Sequence, residues 1–286
     1  MKISVCMIVK NESSCLRKCL DTVKDADEII IVDTWSQDNT IEIAKEYTDK
    51  VYSFAWIDDF SAARNEALKY ATWDWILSID ADEILEAYWI DKIKEELKWY
   101  KWDWLNITLI WEWWWVMTKS PRVFIKWLKW VSPIHETPNC YMILKNSDVS
   151  ILFWTSEAHK LDPDLDLRIL EREYLKNKNN ARACFYYGRE LFYYKKYKES
   201  IEILEHYRTI TVYREELAAA YYILSLSYCN LQEWEIARQR AIFAMLINPH
   251  FKAAIELLAS MCFDREKERW LEFAKNADNS NLLFIY

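Results

Sequence analysis

Asp80 and Asp82 in SIDADE (78–83) set two carboxylates one residue apart at the end of an apolar run. Carboxylates at this spacing can hold a divalent cation through oxygen ligands, with substrate phosphates completing its shell. A further acid, Asp33, closes a second apolar run, EIIIVD (28–33), with Thr34 and Ser36 just beyond it. SAARN (61–65) contributes Arg64 and Asn65, PRVF (121–124) contributes Arg122, and SPIHETP (132–138) contributes His135 and Glu136. A metal-binding acid pair, arginines and a separate carboxylate are the parts of a site that binds phosphates and moves a proton. Acid pairs in turns are common; the strand end behind Asp80 and Asp82 gives this pair its weight.

The elements that must position these residues alternate. ISVCMIV (3–9), EIIIVD (28–33), KVYSF (50–54) and DWILSID (74–80) read as buried strands. Residues 11–23, 38–47 and 61–70 between them read as helices, with Ser36 or Asp38 capping the second and Asp59 or Ser61 the third. This order predicts an α/β fold with a doubly wound, mostly parallel sheet, which binds ligands beyond the carboxyl ends of its strands. A helix over 90–97 and a Trp-dense, strand-rich segment follow. From 161 the chain turns helical. Residues 218–251 place Leu224, Ser225, Tyr228, Trp234, Ala237, Ala244 and Pro249 at the spacing of a tetratricopeptide repeat, and Tyr187, Gly188, Leu191, Tyr197 and Ser200 match at offsets 37 lower. That spacing exceeds the usual period by three, which predicts an enlarged turn. A third helix pair is expected over 252–285. The expected domains are 1–160 and an all-α repeat domain, 161–286.

The 286 residues carry a net charge of −8, which gives no support to nucleic-acid binding. No apolar run is long enough to span a membrane, and MKISVCMIVK is too short for a signal peptide. The expected location is cytoplasmic, with peripheral attachment to the inner face of the membrane as a variant of it. The seven cysteines form no CxxC pair and read as reduced thiols. One feature is anomalous. The chain has a single glycine, Gly188, and seventeen tryptophans, fifteen of them before residue 155.

The stretches ISVCMIVKNES, DEIIIVDT, DNTIEIAKEY and WIDDFSAARNEALKYATWDWILSIDADE resemble bacterial family 2 glycosyltransferases of the GT-A fold. The resemblance is dense over residues 2–85 and thinner to about 160. Some members of that family carry tetratricopeptide repeats behind the transferase. The family pattern has glycine where this chain has Trp35, in VDTWSQDNT, and Trp73, in ATWDW. In some bacterial lineages UGA encodes glycine, and rendering such codons as Trp gives this substitution. On this reading Trp35, Trp73, Trp102, Trp104, Trp111, Trp113, Trp114, Trp115, Trp127 and Trp154 stand at glycine positions, while Trp56, Trp75, Trp234 and Trp270 are genuine. If the Trp residues are taken literally, indoles should crowd the donor crevice near Trp35.

The resemblance implies transfer of a sugar from a nucleotide-diphosphate sugar, UDP-linked for preference, to a glycan, lipid or protein acceptor with inversion. It implies that Asp33 bonds the base in a pocket shared with Thr34, Ser36, Val9, Lys10, Asn11 and Glu12. Asp82 would ligate Mn²⁺ or Mg²⁺, with Asp80 near the ribose or the metal and His135 or His159 as a further ligand. Arg64 and Asn65 would steady the diphosphate or the Asp80–Asp82 loop, and Arg122 would bind diphosphate or acceptor. Glu136 is the expected general base, with Glu83 as its rival. The acceptor side departs from the family: it is short, and no base motif followed by a basic diphosphate motif is evident. Two other readings compete. A nucleotidyltransferase would need a glycine-rich basic loop where VKNES stands. A non-catalytic scaffold would use the helical repeats, which are also the place for a protein partner, and leave the transferase degenerate.

Overall fold

The fold is taken from a computed structural model that describes residues 1–86, 89–98, 104–111, 117–139, 145–153, 156 and 161–277. The chain divides into two compact units, Met1–Leu165 and Asp166–Tyr286.

The first unit opens with β1 (Ile3–Val9), α1 (Leu16–Val23), β2 (Glu28–Asp33), α2 (Thr40–Lys45), β3 (Val51–Ser53), α3 (Phe60–Tyr70) and β4 (Trp75–Ser78). β5 (Glu83–Leu85), α4 (Trp89–Lys98), β6 (Trp104–Trp111), β7 (Met117–Ile125), β8 (Trp130–Val131), β9 (Thr137–Pro138) and β10 (Lys145–Phe153) follow. The apolar runs of β1 and β2 are buried on both faces, because helices cover the sheet on each side. α1 starts later than its apolar pattern, since Asn11 turns the chain at φ 57°. α3 is capped as expected by Asp59, whose Oδ1 accepts the Ala62 N–H at 2.9 Å.

Eight strands form one sheet in the order β3-β2-β1-β4-β7-β6-β10-β5, and β8 pairs with β9 separately. β3, β2, β1 and β4 are mutually parallel. β7 runs antiparallel to both its neighbours, β6 and β10 are parallel, and β5 is antiparallel to β10. Six of the eight strands thus run one way, as a mostly parallel sheet requires, and β7 and β5 run against them. β2 and β4 flank β1 on opposite sides, so the direction of winding reverses beside β1. The loops after β1 and β4 consequently diverge and leave a crevice.

The second unit is helical: α5 (Leu165–Lys176), α6 (Ala181–Tyr193), α7 (Tyr197–Ile210), α8 (Arg214–Asn230), α9 (Trp234–Ile247), α10 (Lys252–Ser260) and α11 (Asp264–Ala274). α6/α7 and α8/α9 are the two repeat copies. Gly188 and Ser225 occupy matching positions, as do Ser200 and Ala237. Ser200 Oγ donates to the Gly188 carbonyl at 2.7 Å; in the next copy Ser225 Oγ donates to the Ala237 carbonyl at 2.8 Å. The same close crossing is thus bridged from opposite helices. The enlarged turn is absent. Three residues join each of α6/α7, α7/α8 and α8/α9, and the longer period sits in α8, whose 17 residues exceed the 13 of α6 by about one helical turn. Trp234 fills no interior slot: it is 54% exposed.

Candidate active site

A cavity of about 340 Å³ opens at the carboxyl ends of β1 and β4, lined among others by Val9, Lys10, Glu12, Thr34, Trp56, Phe60, Arg64, Asp80, Asp82, Glu83 and Arg122. That volume suits a small ligand. Its lining brings together Val9, Lys10, Glu12, Thr34, Arg64, Asp80, Asp82, Glu83 and Arg122 of the expected set. Asn11, Asp33, Ser36, Asn65, His135 and Glu136 are not on its wall. His159 lies outside the described residues.

The reasons are local. Asp33 is buried, and its carboxylate accepts the N–H groups of Trp35 (3.1 Å) and Ser36 (3.2 Å), so it closes the turn after β2 rather than facing the cavity. Ser36 Oγ accepts the Asn11 N–H at 2.9 Å, and Asn11 Oδ1 accepts the Gln37 N–H at 2.7 Å. These residues lock the β1 and β2 loops together and leave Thr34, whose hydroxyl donates to the Val9 carbonyl at 3.1 Å, on the wall. Asn65 is spent on the backbone of Trp130, donating to its carbonyl and accepting its N–H, both at 2.9 Å. It positions β8.

Beneath the cavity the acids and arginines form one network. Asp80 Oδ1 accepts from Arg64 Nη1 at 2.8 Å and Oδ2 from Arg122 Nη1 at 3.3 Å. Arg122 Nη2 also pairs with Glu83 Oε1, while Glu83 Oε2 accepts the Asp80 N–H at 2.9 Å. Arg64 Nε pairs with Glu136 Oε1 at 2.5 Å, and the guanidinium stacks over the Trp130 ring at 5.3 Å. Asp58 and Asp59, just before α3, bond Trp56 Nε1 and the α3 N-terminus. Burial works against the Asp80 charge, but Arg64 and Arg122 outweigh it and hold this carboxyl well below the usual carboxylate range. Glu83 goes the other way. Its burial, helped by Asp80 and opposed by Arg122, pushes it up to about 7.

Both Asp80 oxygens are committed to arginines, and among the described residues no group of three His, Cys, Asp or Glu side chains could hold an ion. His135 adopts φ 50° and stays off the cavity wall. Asp80 and Asp82 both line the cavity, but Asp82 has other partners. Its Oδ2 accepts the Ser156 N–H at 3.3 Å, and Ser156 Oγ donates to Glu12 Oε1 at 3.1 Å, so one buried serine fixes two cavity acids. Sequence reading passed over Ser156, Trp56 and Phe60. Trp56 and Phe60 flank the Asp59 cap in WIDDF, and a residue beside a helix start at a strand's carboxyl end was the available signal.

Among the described residues Trp56 is the indole on the cavity wall, and those expected to crowd it near Trp35 are not. Trp35 is 68% exposed and off the wall, although its φ of 73° is a conformation that favours glycine. Trp73 and Trp127 are not in that conformation.

Residues 4–103 match the family described as glycosyl transferase family 2. The N-terminal unit carries a family 2 glycosyltransferase domain. The mixed sheet and its crevice are the GT-A arrangement the resemblance implied. The chain is 53% identical over 90 residues to a TPR repeat-containing protein of Synechococcus elongatus, covering 30% of this chain and 22% of that protein. It is 29% identical over 216 residues to the SPbeta prophage-derived glycosyltransferase SunS of Bacillus subtilis, covering 70% of this chain and 51% of SunS. These matches thus span about a fifth and about half of the relatives' lengths. S. aureus TarS 1–349, solved in complex with UDP-GlcNAc, superposes with a TM-score of 0.46 at 12% identity, over 96% of this chain and 91% of TarS 1–349. Among the described residues no helix is long and apolar enough to cross a membrane.

Proposed function

We infer that the chain is a cytoplasmic glycosyltransferase that moves a sugar, with inversion, from a UDP-sugar to a glycan, lipid or protein acceptor. One observation carries this reading: the family 2 domain presents, at the reversal beside β1, a cavity walled by Asp82, Arg122 and Thr34. Among the cavity's charged side chains, Lys10, Arg64 and Arg122 are basic, and Glu12, Asp80, Asp82 and Glu83 are acidic. Three positive charges face three carboxylates and Glu83, which is pushed up to about 7, so these side chains offer a diphosphate no net positive charge. A divalent cation supplies that charge, which supports Mn²⁺ or Mg²⁺ as a partner of the substrate. Asp82 fits the ion as its protein carboxylate, with phosphate oxygens as further ligands. His159, three residues beyond Ser156 in sequence, is the further ligand on this reading. The ion's chemistry would be to neutralise charge on the departing nucleoside diphosphate.

Asp80 acts through Arg64 and Arg122, presenting them to the cavity at fixed positions. Glu83 has both oxygens bonded, so it is the weaker choice of base. Glu136 keeps that role in this reading from a position off the cavity wall: Arg64, which lines the cavity, bonds its Oε1, and the acceptor would have to enter beside Arg64 to reach Oε2. The helical repeats are the surface for a protein partner. The scaffold reading loses the support of Trp35, which fills none of the cavity. The test is turnover of UDP-sugars with Mn²⁺, with Asp82→Asn as control. Metal-dependent hydrolysis lost in the control supports the transferase; a folded protein that neither binds nor hydrolyses any nucleotide sugar sinks it.

A further inference from the structure

Phe153 ends β10 on the cavity wall, and three residues later Ser156 meets side chains from the loops after β1 and β4. Ser156 is buried, and it stands 74 positions from Asp82 and 144 from Glu12 in sequence. Its two donors go to two acids of one wall: the N–H to Asp82 Oδ2 and the hydroxyl to Glu12 Oε1. A neutral residue thus bridges two like charges that would otherwise push apart.

Glu12 is the firm end of this bridge. Its N–H donates to Thr40 Oγ1 at 2.8 Å, and its Oε2 accepts from Cys15 Sγ at 3.1 Å. Cys15 stands at the start of α1, and one turn further on Cys19 Sγ donates to the Asp80 carbonyl at 3.3 Å. The fully packed α1 therefore anchors the β1 loop at Glu12 and the β4 loop at Asp80. The Asp82 side chain lies beyond the second anchor, and Ser156 ties it back to the first. An N–H is placed only as well as the residue that carries it. The Ser156 hydroxyl, through its bond to Glu12, thus acts on a carboxylate that it does not touch.

We propose that Ser156 is a positioning residue for the cation that accompanies the nucleotide: tethered to Glu12, it sets the Asp82 carboxylate before the ion arrives. This rests on the transferase reading above, in which Asp82 meets the ion. Divalent cations, Mg²⁺ above all, accept a narrow range of ligand geometry, so the groups that orient a ligand matter almost as much as the ligand.

The experiment is UDP binding in Mn²⁺ by calorimetry, for the full chain and for Ser156→Ala, Glu12→Ala, Asp82→Asn and the double variant Ser156→Ala with Asp82→Asn. Ser156→Ala should weaken UDP about tenfold, the usual scale for losing a group that orients a metal ligand. Glu12→Ala breaks the same tether from the β1 loop and should weaken it likewise. In the Asp82→Asn background, Ser156→Ala should add little, because the residue through which it acts has already changed. Unchanged UDP affinity in Ser156→Ala or in Glu12→Ala overturns the inference and leaves the transferase standing. A loss from Ser156→Ala as large in the Asp82→Asn background as in the unaltered chain overturns it too, since the serine would then support the cavity without acting through Asp82. No UDP binding by the unaltered chain overturns the transferase reading beneath it.

Discussion

Arg64 Nε lies 2.5 Å from Glu136 Oε1 while Nη1 of the same guanidinium lies 2.8 Å from Asp80 Oδ1. One side chain on α3 therefore joins the two motifs that sequence reading had assigned to opposite substrates. All three side chains are largely buried, so removing the cation leaves two carboxylates facing each other without it. Arg64→Ala should destabilise the first unit by about 3 kcal/mol, the usual scale for breaking a buried pair from one side. Arg64→Lys should recover only part of this, since an ammonium cannot direct separate N–H groups at both partners. Urea unfolding of the two variants checks the order; equal stability in all three proteins would show that the bridge contributes nothing.

Asp82→Asn and Asp80→Asn separate the two acids of the DxD pair. If the cation meets the protein through Asp82, Asp82→Asn should raise the Mn²⁺ concentration needed for half-maximal UDP-sugar hydrolysis by tenfold or more, about 1.4 kcal/mol. Asp80→Asn should lower the maximal rate at a nearly unchanged metal requirement, because Asp80 holds arginines. A metal titration of hydrolysis by each variant reads both. A large metal shift in Asp80→Asn would restore Asp80 as a ligand.

Two buried carboxylates predict opposite pH trends. Burial opposes the charge of Glu28, but Lys50, Ser4 and Thr72 outweigh it and bring Glu28 down to about 2. Its contribution is present above the ordinary carboxylate range and lost as pH falls toward 2. Burial raises Glu83 to about 7, so the folded chain binds its proton more tightly than the unfolded chain between about 4.5 and 7. Stability therefore falls as pH rises through that interval, by up to about 3 kcal/mol from this group. Glu83→Gln should flatten the slope between pH 5 and 7, and Glu28→Gln should flatten the loss below pH 4. Unfolding free energies across pH 3–8 test both, and an unchanged slope in Glu83→Gln would remove its raised affinity for a proton.

Gly188 predicts its own intolerance. A Cβ there would lie 2.7 Å from both Cγ and Cδ2 of Leu204, which is fully buried and has nowhere to swing. Gly188→Ala should cost about 1–3 kcal/mol in the second unit. Ser200→Ala and Ser225→Ala should each cost about 1 kcal/mol for the bridging bond they lose. Thermal unfolding of the three variants checks the ranking, and a neutral Gly188→Ala would mean the crossing can open.

Much of the first unit was legible because its strands are long apolar runs covered on both faces; β1 and β2 fall on the expected residues. The sheet's far half was not, since antiparallel insertion of β7 depends on pairings between distant segments that no local pattern encodes. The same holds for the site. Asp82, Arg64 and Arg122 could be nominated by type and place, yet the sequence separation of 72 between Arg64 and Glu136 hid their pairing. Asp33 and Asn65 look like ligands in sequence because polar residues beside a crevice usually are; here the turn and the Trp130 backbone claim them first. The repeat's length was read correctly as unusual but misplaced, because an added helical turn and an enlarged loop lengthen the period alike.

Trp35 allows the sharpest test of the glycine reading. A residue with a Cβ at φ 73° is strained by about 1–2 kcal/mol, and Trp35 gains little in return, being 68% exposed. Trp35→Gly should therefore raise stability by about 1 kcal/mol once the extra freedom of glycine in the unfolded chain is subtracted. Trp130 is the contrast. It is buried, edge-on to Phe124 at 5.3 Å and stacked by Arg64, so Trp130→Gly should cost about 3–5 kcal/mol. If the codon at 35 is UGA and Trp35→Gly stabilises the chain, glycine is the residue this turn was built around. A codon of UGG, or a loss of stability on substitution, would make the indole a genuine part of the surface beside the cavity.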